Sequence, residues 1–289
     1  MKKWTLGLMA MILVLGITAC GNDKEANGGN TANGGNTDKV AGANGTADSA
    51  TVPTLEELLQ KSADASKDLK SLSMVAEMNQ DMVITQGDQK QEQSIIMKIT
   101  SDIIKDPLQL VQEIKMTLPG QGDTDMKQYV TEEGVFVNVG GVWSKQPNET
   151  REQLLASIED SANPQKQLEQ FKTISKDTVI TAEGDEYVLT ADVSGDAVKG
   201  LAKELMSRSG GNAEDTAAMI EQMNIKSIKI TTAVNKDTYL PTRANVDLVL
   251  EMEQEGANIS MNMVMKTTSS KYNEISEIKV PQEALDSAQ

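Results

Sequence analysis

From residue 72 onward the chain alternates apolar and polar positions over unusually long stretches. Leu72, Met74, Ala76, Met78, Met82 and Ile84 fall on even positions, with Ser73, Glu77, Asn79 and Asp81 between them. Gly87-Asp88 marks a turn. Beyond it Ile95, Met97, Ile99 and Ile103 take odd positions, and Leu108, Leu110, Ile114, Met116 and Leu118 take even ones. A period of two sends all the apolar side chains of a strand to one face. Each segment therefore predicts a strand with one dry and one wet side, as in antiparallel sheet. Later segments repeat the pattern: Ile228, Ile230 and Val234, then Val246, Leu248, Leu250 and Met252, then Ile259, Met261, Met263 and Met265 beyond Glu255-Gly256. Short hairpins are predicted around Glu132-Glu133-Gly134 and around Glu183-Gly184-Asp185. Pro119–Asp123 reads as a loop, Gly140-Gly141 as a turn, and Ile278–Val280 as a last short strand before Pro281.

Elsewhere the apolar period becomes helical. Thr54 followed by Glu57 has the spacing of a capping box, and Leu55, Leu58, Leu59, Ala63 and Leu69 form a stripe behind it. Residues 149–172 predict two helices broken at Pro164, residues 196–208 another, and residues 214–223 one more. Long one-sided strands interrupted by clusters of helices predict a single α+β domain over residues 53–289. In it, helices cover the dry face of a large antiparallel sheet. A sheet of so many long strands twists and curls, and a curled sheet under helices often leaves a cavity.

The remaining residues change the picture at the amino end. Lys2 and Lys3 precede a charge-free apolar run from Trp4, and Ile17-Thr18-Ala19 precede Cys20, the only cysteine. This is the layout of a secretory signal over residues 1–19: basic start, apolar middle, small residues before the cut. Residues 21–52 are mainly Asn, Gly, Thr, Ala and Asp, with Ala-Asn-Gly-Gly-Asn-Thr occurring twice in tandem from Ala26. Such a segment buries too little surface to offset its ordering, so residues 20–52 predict a tether spanning roughly 30 Å as a random coil. One cysteine excludes an internal disulfide. The formal net charge of −16 opposes binding to nucleic acid or to anionic headgroups. Histidine is absent, which removes the commonest general base and zinc ligand. No cofactor is implied.

Cys20 after its small residues resembles the lipobox of bacterial lipoproteins. The resemblance implies a diacylglyceryl group on the Cys20 thiol, cleavage just before it, and a chain anchored on the extracytoplasmic face of the cell membrane. A second resemblance runs through the folded part. Tyr129-Val130-Thr131-Glu132-Glu133-Gly134-Val135-Phe136-Val137-Asn138 with Gly141-Val142-Trp143-Ser144-Lys145 is similar to a hairpin and W-x-K step of uncharacterised Bacillus-type lipoproteins. Asp237-Thr238-Tyr239-Leu240-Pro241, running into Arg243–Glu253, and Ile278-Lys279-Val280-Pro281-Gln282-Glu283-Ala284 are similar too. These proteins resemble the wider LolA/LppX-like superfamily. The resemblance implies a half-barrel sheet with helices over its concave face, a non-catalytic role, a lipid or other apolar ligand, and a Gram-positive envelope. With aromatics at 3% of residues, the lining it implies here is aliphatic and methionine.

The candidate lining residues are Met74, Met78 and Met82, Met116, Leu248, Leu250 and Met252, and Met261, Met263 and Met265. Met is unbranched and polarizable, and it suits an adaptable apolar surface. The same side chains would equally serve as plain core beneath helices. Two other function classes remain open. One is an envelope interaction or regulatory lipoprotein with a filled core and a protein or cell-wall partner. The other is a carboxylate hydrolase using pairs such as Glu56/Glu57, Glu132/Glu133 or Glu251/Glu253. Asp123-Thr124-Asp125 lacks the ligand series of a calcium loop.

Overall fold

A computed structural model of the chain describes residues 52–120, 122–161, 174, 176, 178–193, 223–254 and 256–287. The signal, Cys20 and the tether lie outside the described residues, as do the helices expected over 164–172, 196–208 and most of 214–223. Helix α1 (Leu55–Lys67) opens the fold. Its capping box forms: the Glu57 amide donates to Thr54 Oγ1 at 3.2 Å, and the Thr54 amide donates to Glu57 Oε2 at 2.8 Å. The backbone hydrogen bond from Thr54 holds the Glu57 carboxyl below its ordinary range.

The strands are β1 (Ser71–Gln86), β2 (Gln89–Lys105), β3 (Leu108–Leu118), β4 (Gly122–Thr131), β5 (Gly134–Val139) and β6 (Val142–Gln146). After helix α2 (Asn148–Ser161) come β7 (Thr178–Glu183), β8 (Glu186–Val193), β9 (Met223–Asn235), β10 (Pro241–Gln254) and β11 (Ala257–Ser270). Helix α3 (Gln282–Asp286) closes the chain. The strands form one 11-stranded sheet in the order β6-β5-β4-β3-β2-β1-β11-β10-β9-β8-β7, every neighbour antiparallel. Two meanders meet at the centre, where β1 pairs with β11 from Ser73↔Ser270 to Thr85↔Asn258.

The face that carries α1 and α2 holds two buried clusters. In one, Leu58 and Leu59 of α1 pack on Leu189, Ala191, Val193, Ile228 and Ile230. In the other, Leu72, Ile103, Leu110, Val130 and Val135 are buried, with Leu154 and Leu155 of α2 against them. This is the inner face. On the outer face a third cluster gathers Tyr129, Phe136 and Ala284, flanked by Trp143, Ile278 and Val280.

Three expectations are corrected. Ile278–Val280 is not a strand. Ile278 and Val280 both pack against the outer face, so the segment lies across the sheet instead of pairing with its edge. The loop expected over Pro119–Asp123 ends sooner, because Gly122 and Asp123 already belong to β4, paired with β3 through Leu118↔Gly122 and Thr117↔Asp123, and Asp123 accepts from Thr117 Oγ1 at 2.7 Å. Met223 begins β9 instead of ending a helix, because Met252 offers it a partner on β10.

Tyr272 fastens the end of β11 to the start of β10 by donating to the Pro241 carbonyl. Burial is the main cause that pushes its phenol up to about 12. Below about pH 10 the phenol is protonated in both folded and unfolded chains, and its contribution is intact. As pH rises from about 10 toward 12 the unfolded chain loses the proton first, and about 2–3 kcal/mol of stability is lost across that window. Tyr272→Phe is therefore expected to be about 1 kcal/mol less stable than the parent at pH 8 and equal or more stable at pH 11. Urea midpoints at the two pH values check this; an unchanged difference rejects it.

Candidate functional site

The sheet register places all ten lining candidates on the inner face. On β1, even positions point inward, and Met78 faces Met97 of β2 on one side and Met265 of β11 on the other. Met97 in turn faces Met116 of β3. Four strands thus contribute one methionine each to a single row, Met116–Met97–Met78–Met265. Side chains directly opposite in an antiparallel pair have Cβ atoms about 5 Å apart, so neighbouring methionines lie within reach of one another, and the row spans about 14 Å.

The next row reads Ile95–Gln80–Met263–Leu248, and the one beyond it Gln93–Met82–Met261–Leu250. Met252 follows opposite Ile259. On the other side of the methionine row, Met74 faces Ser101, whose hydroxyl accepts from Gln112 Nε2 at 3.1 Å.

Burial separates these residues. Met82 (4% exposed), Leu250 (6%), Ile95 (5%) and Ile259 (5%) are buried. Met78, Met97, Met116, Met261, Met263 and Met265 are only partly buried, and so are Met74, Leu248 and Met252. Among the described residues, none of the four methionines of the row belongs to either inner cluster; Met74 and Leu248 touch their margins. The row is a strip of adaptable apolar surface outside the two packed clusters.

Two residues of this face matter to the site beyond the ten candidates. Met97 lies at the centre of the row. Gln80 lies one row away, 5% exposed, and its Nε2 has no hydrogen-bond partner.

The carboxylates take other places. Glu57 is spent on the capping box, Glu132 and Glu133 are exposed in the β4–β5 turn, and Glu251 pairs with Lys226 at 3.0 Å on the outer face. No group of three or more His, Cys, Asp or Glu able to hold a metal ion occurs among the described residues. No helix among them is long and apolar enough to cross a membrane, which says nothing of a β-barrel.

The model of a family of unknown function, DUF6612, matches residues 54–289. The chain belongs to the DUF6612 family. Its matched region takes in α1, the sheet with its methionine row, and the outer cluster. No curated protein matches this DUF6612 chain. Among solved structures it is similar to LprF from Mycobacterium bovis, at 12% identity and a TM-score of 0.40, with 80% of this chain and 99% of that one covered. It is also similar to a domain from Vibrio parahaemolyticus described as an outer membrane lipoprotein-sorting protein, at 8% identity and a TM-score of 0.21, covering 73% and 89%. A DUF1329 family protein from Desulfovibrio piger is similar at 10% identity and a TM-score of 0.24, covering 77% and 95%.

Proposed function

We propose that this DUF6612 protein is an extracytoplasmic lipoprotein, tethered to the membrane through Cys20, that holds an acyl chain or similar apolar ligand on its inner face and performs no chemistry on it. The observation that carries the reading is the row Met116–Met97–Met78–Met265, partly buried and outside both inner clusters. A sheet face meant only as core gains most by burying such side chains fully, at roughly 25 cal/mol per Å² of apolar surface. Here all four methionines are only partly buried, as are Ile114, Ile99, Ala76 and Thr267 in the row beside them. Thioethers suit a ligand that varies in detail, because each side chain has several low-energy shapes.

The rival reading, a filled-core interaction protein, needs a surface of one sign. On the outer face opposite charges pair across strands, Lys98 with Glu77 at 2.9 Å and Lys127 with Glu113 at 2.7 Å, and this disperses the acidity.

Titration of the purified chain with N-phenyl-1-naphthylamine tests the ligand reading. Saturable fluorescence enhancement at one probe per chain is expected; a linear rise without saturation contradicts it. The anchor is tested separately. Cys20→Ser is expected to abolish incorporation of labelled fatty acid into the protein, because serine has no thiol to carry the diacylglyceryl group. Labelling of the variant at the parent's level would overturn the anchor.

A further inference from the structure

Gln80 is the only polar side chain in its row, which reads Ile95–Gln80–Met263–Leu248. Along β1 its same-face neighbours are Met78 and Met82. None of these side chains offers a good acceptor. The backbone carbonyls beside it are committed to the ladders with β2 and β11. Yet Gln80 is 95% buried by the complement of its 5% exposure, and its amide Nε2 makes no hydrogen bond. A buried donor without an acceptor bears the whole cost of its lost water, and native chains rarely leave one so. The polar pair Ser101–Gln112 on the same face makes the contrast: there the amide has its acceptor.

We propose that Gln80 is a specificity-determining residue, whose amide donates to a carbonyl or ester oxygen of a ligand whose apolar chain lies over the methionine row. This rests on the reading that the inner face takes an apolar ligand, and it adds what that ligand must carry. Gln80 and Met78 are two residues apart on one strand face, so the acceptor sits about 7 Å from the row. A ligand with an oxygen at that depth satisfies the amide. A pure hydrocarbon of the same length covers the row but seals the donor away from any partner. The face therefore selects acyl esters over alkanes, and it fixes where along the ligand the ester lies.

The test is displacement of N-phenyl-1-naphthylamine from the full chain by methyl undecanoate and by dodecane, with the parent, Gln80→Leu and Gln80→Met compared. Two apolar replacements guard against one that packs badly. The parent is expected to prefer the ester by about fivefold or more, the worth of one hydrogen bond not left unmade. Both variants are expected to lose that preference while binding dodecane as well as or better than the parent. A ratio near one in the parent, or a preference that survives in both variants, overturns the role of Gln80 and leaves the apolar reading standing. If the parent binds neither the probe nor the two ligands, the apolar reading fails and the role of Gln80 fails with it. A purely structural Gln80 would alter stability in the variants and leave the ester-to-alkane ratio unmoved.

Discussion

Phe136→Ala is expected to cost about 3–5 kcal/mol of folding stability, the largest loss from any single change on the outer face. Phe136 is 0% exposed and sits beneath Ala284 and beside Tyr129 in the cluster that seats the C-terminal segment. Its neighbourhood is already close-packed: the Lys145 ammonium lies 5.3 Å from the ring centroid, and a Cβ on Gly134 would come within 2.9 Å of Lys145 Cε. A void there cannot easily collapse. Segment 274–287 then loses the surface it rests on, so limited proteolysis is expected to remove it first. Urea denaturation at neutral pH measures the loss; less than about 1 kcal/mol would mean the outer cluster is incidental to the fold.

The second large effect falls on the row itself. Replacing Met78 and Met265 together by tryptophan puts two rigid, bulky rings side by side over half of the row. Overpacking is expected to cost about 1–3 kcal/mol of stability. Binding of N-phenyl-1-naphthylamine is expected to weaken by about tenfold or more, because the space the ligand needs is filled. If the double variant binds the probe like the parent, the ligand lies elsewhere. Chemical denaturation of the same variant separates a filled site from an unfolded one.

Much of this arrangement is legible in the sequence, and the part that is not has a clear cause. The alternation in residues 72–118 specifies one-sided strands because the side-chain period of a strand is fixed at two. Within a hairpin the turn then sets the register. Gly87-Asp88 closes β1 onto β2 with Gln86 opposite Gln89, which alone places Met78 opposite Met97. That turn by itself puts Met97 in the row. Gln254 opposite Ala257 does the same for Val246 opposite Met265.

The contact that completes the row is of another kind. Met78 meets Met265 only because the first and last long strands pair at the centre of the sheet. No local turn dictates a pairing between segments so distant in sequence. Gln80 was hidden by its own period: an isolated amide on an even position reads as a lapse in the pattern until its burial and missing partner are seen. The seat of the C-terminal segment on the outer face is not legible in the sequence, since Ile278 and Val280 could equally alternate as a strand or lie flat across one.

The most direct measurement is organic-solvent extraction of the full chain, purified without detergent exchange, followed by mass spectrometry of what comes away. A covalent anchor stays with the polypeptide, so only non-covalent ligand enters the extract. An ester-bearing lipid is predicted at close to one molecule per chain, and it should fall at least about tenfold in the Met78→Trp, Met265→Trp double variant. An extract free of lipid from the parent, or one equally rich from the double variant, would contradict the assignment of the methionine row as a binding face.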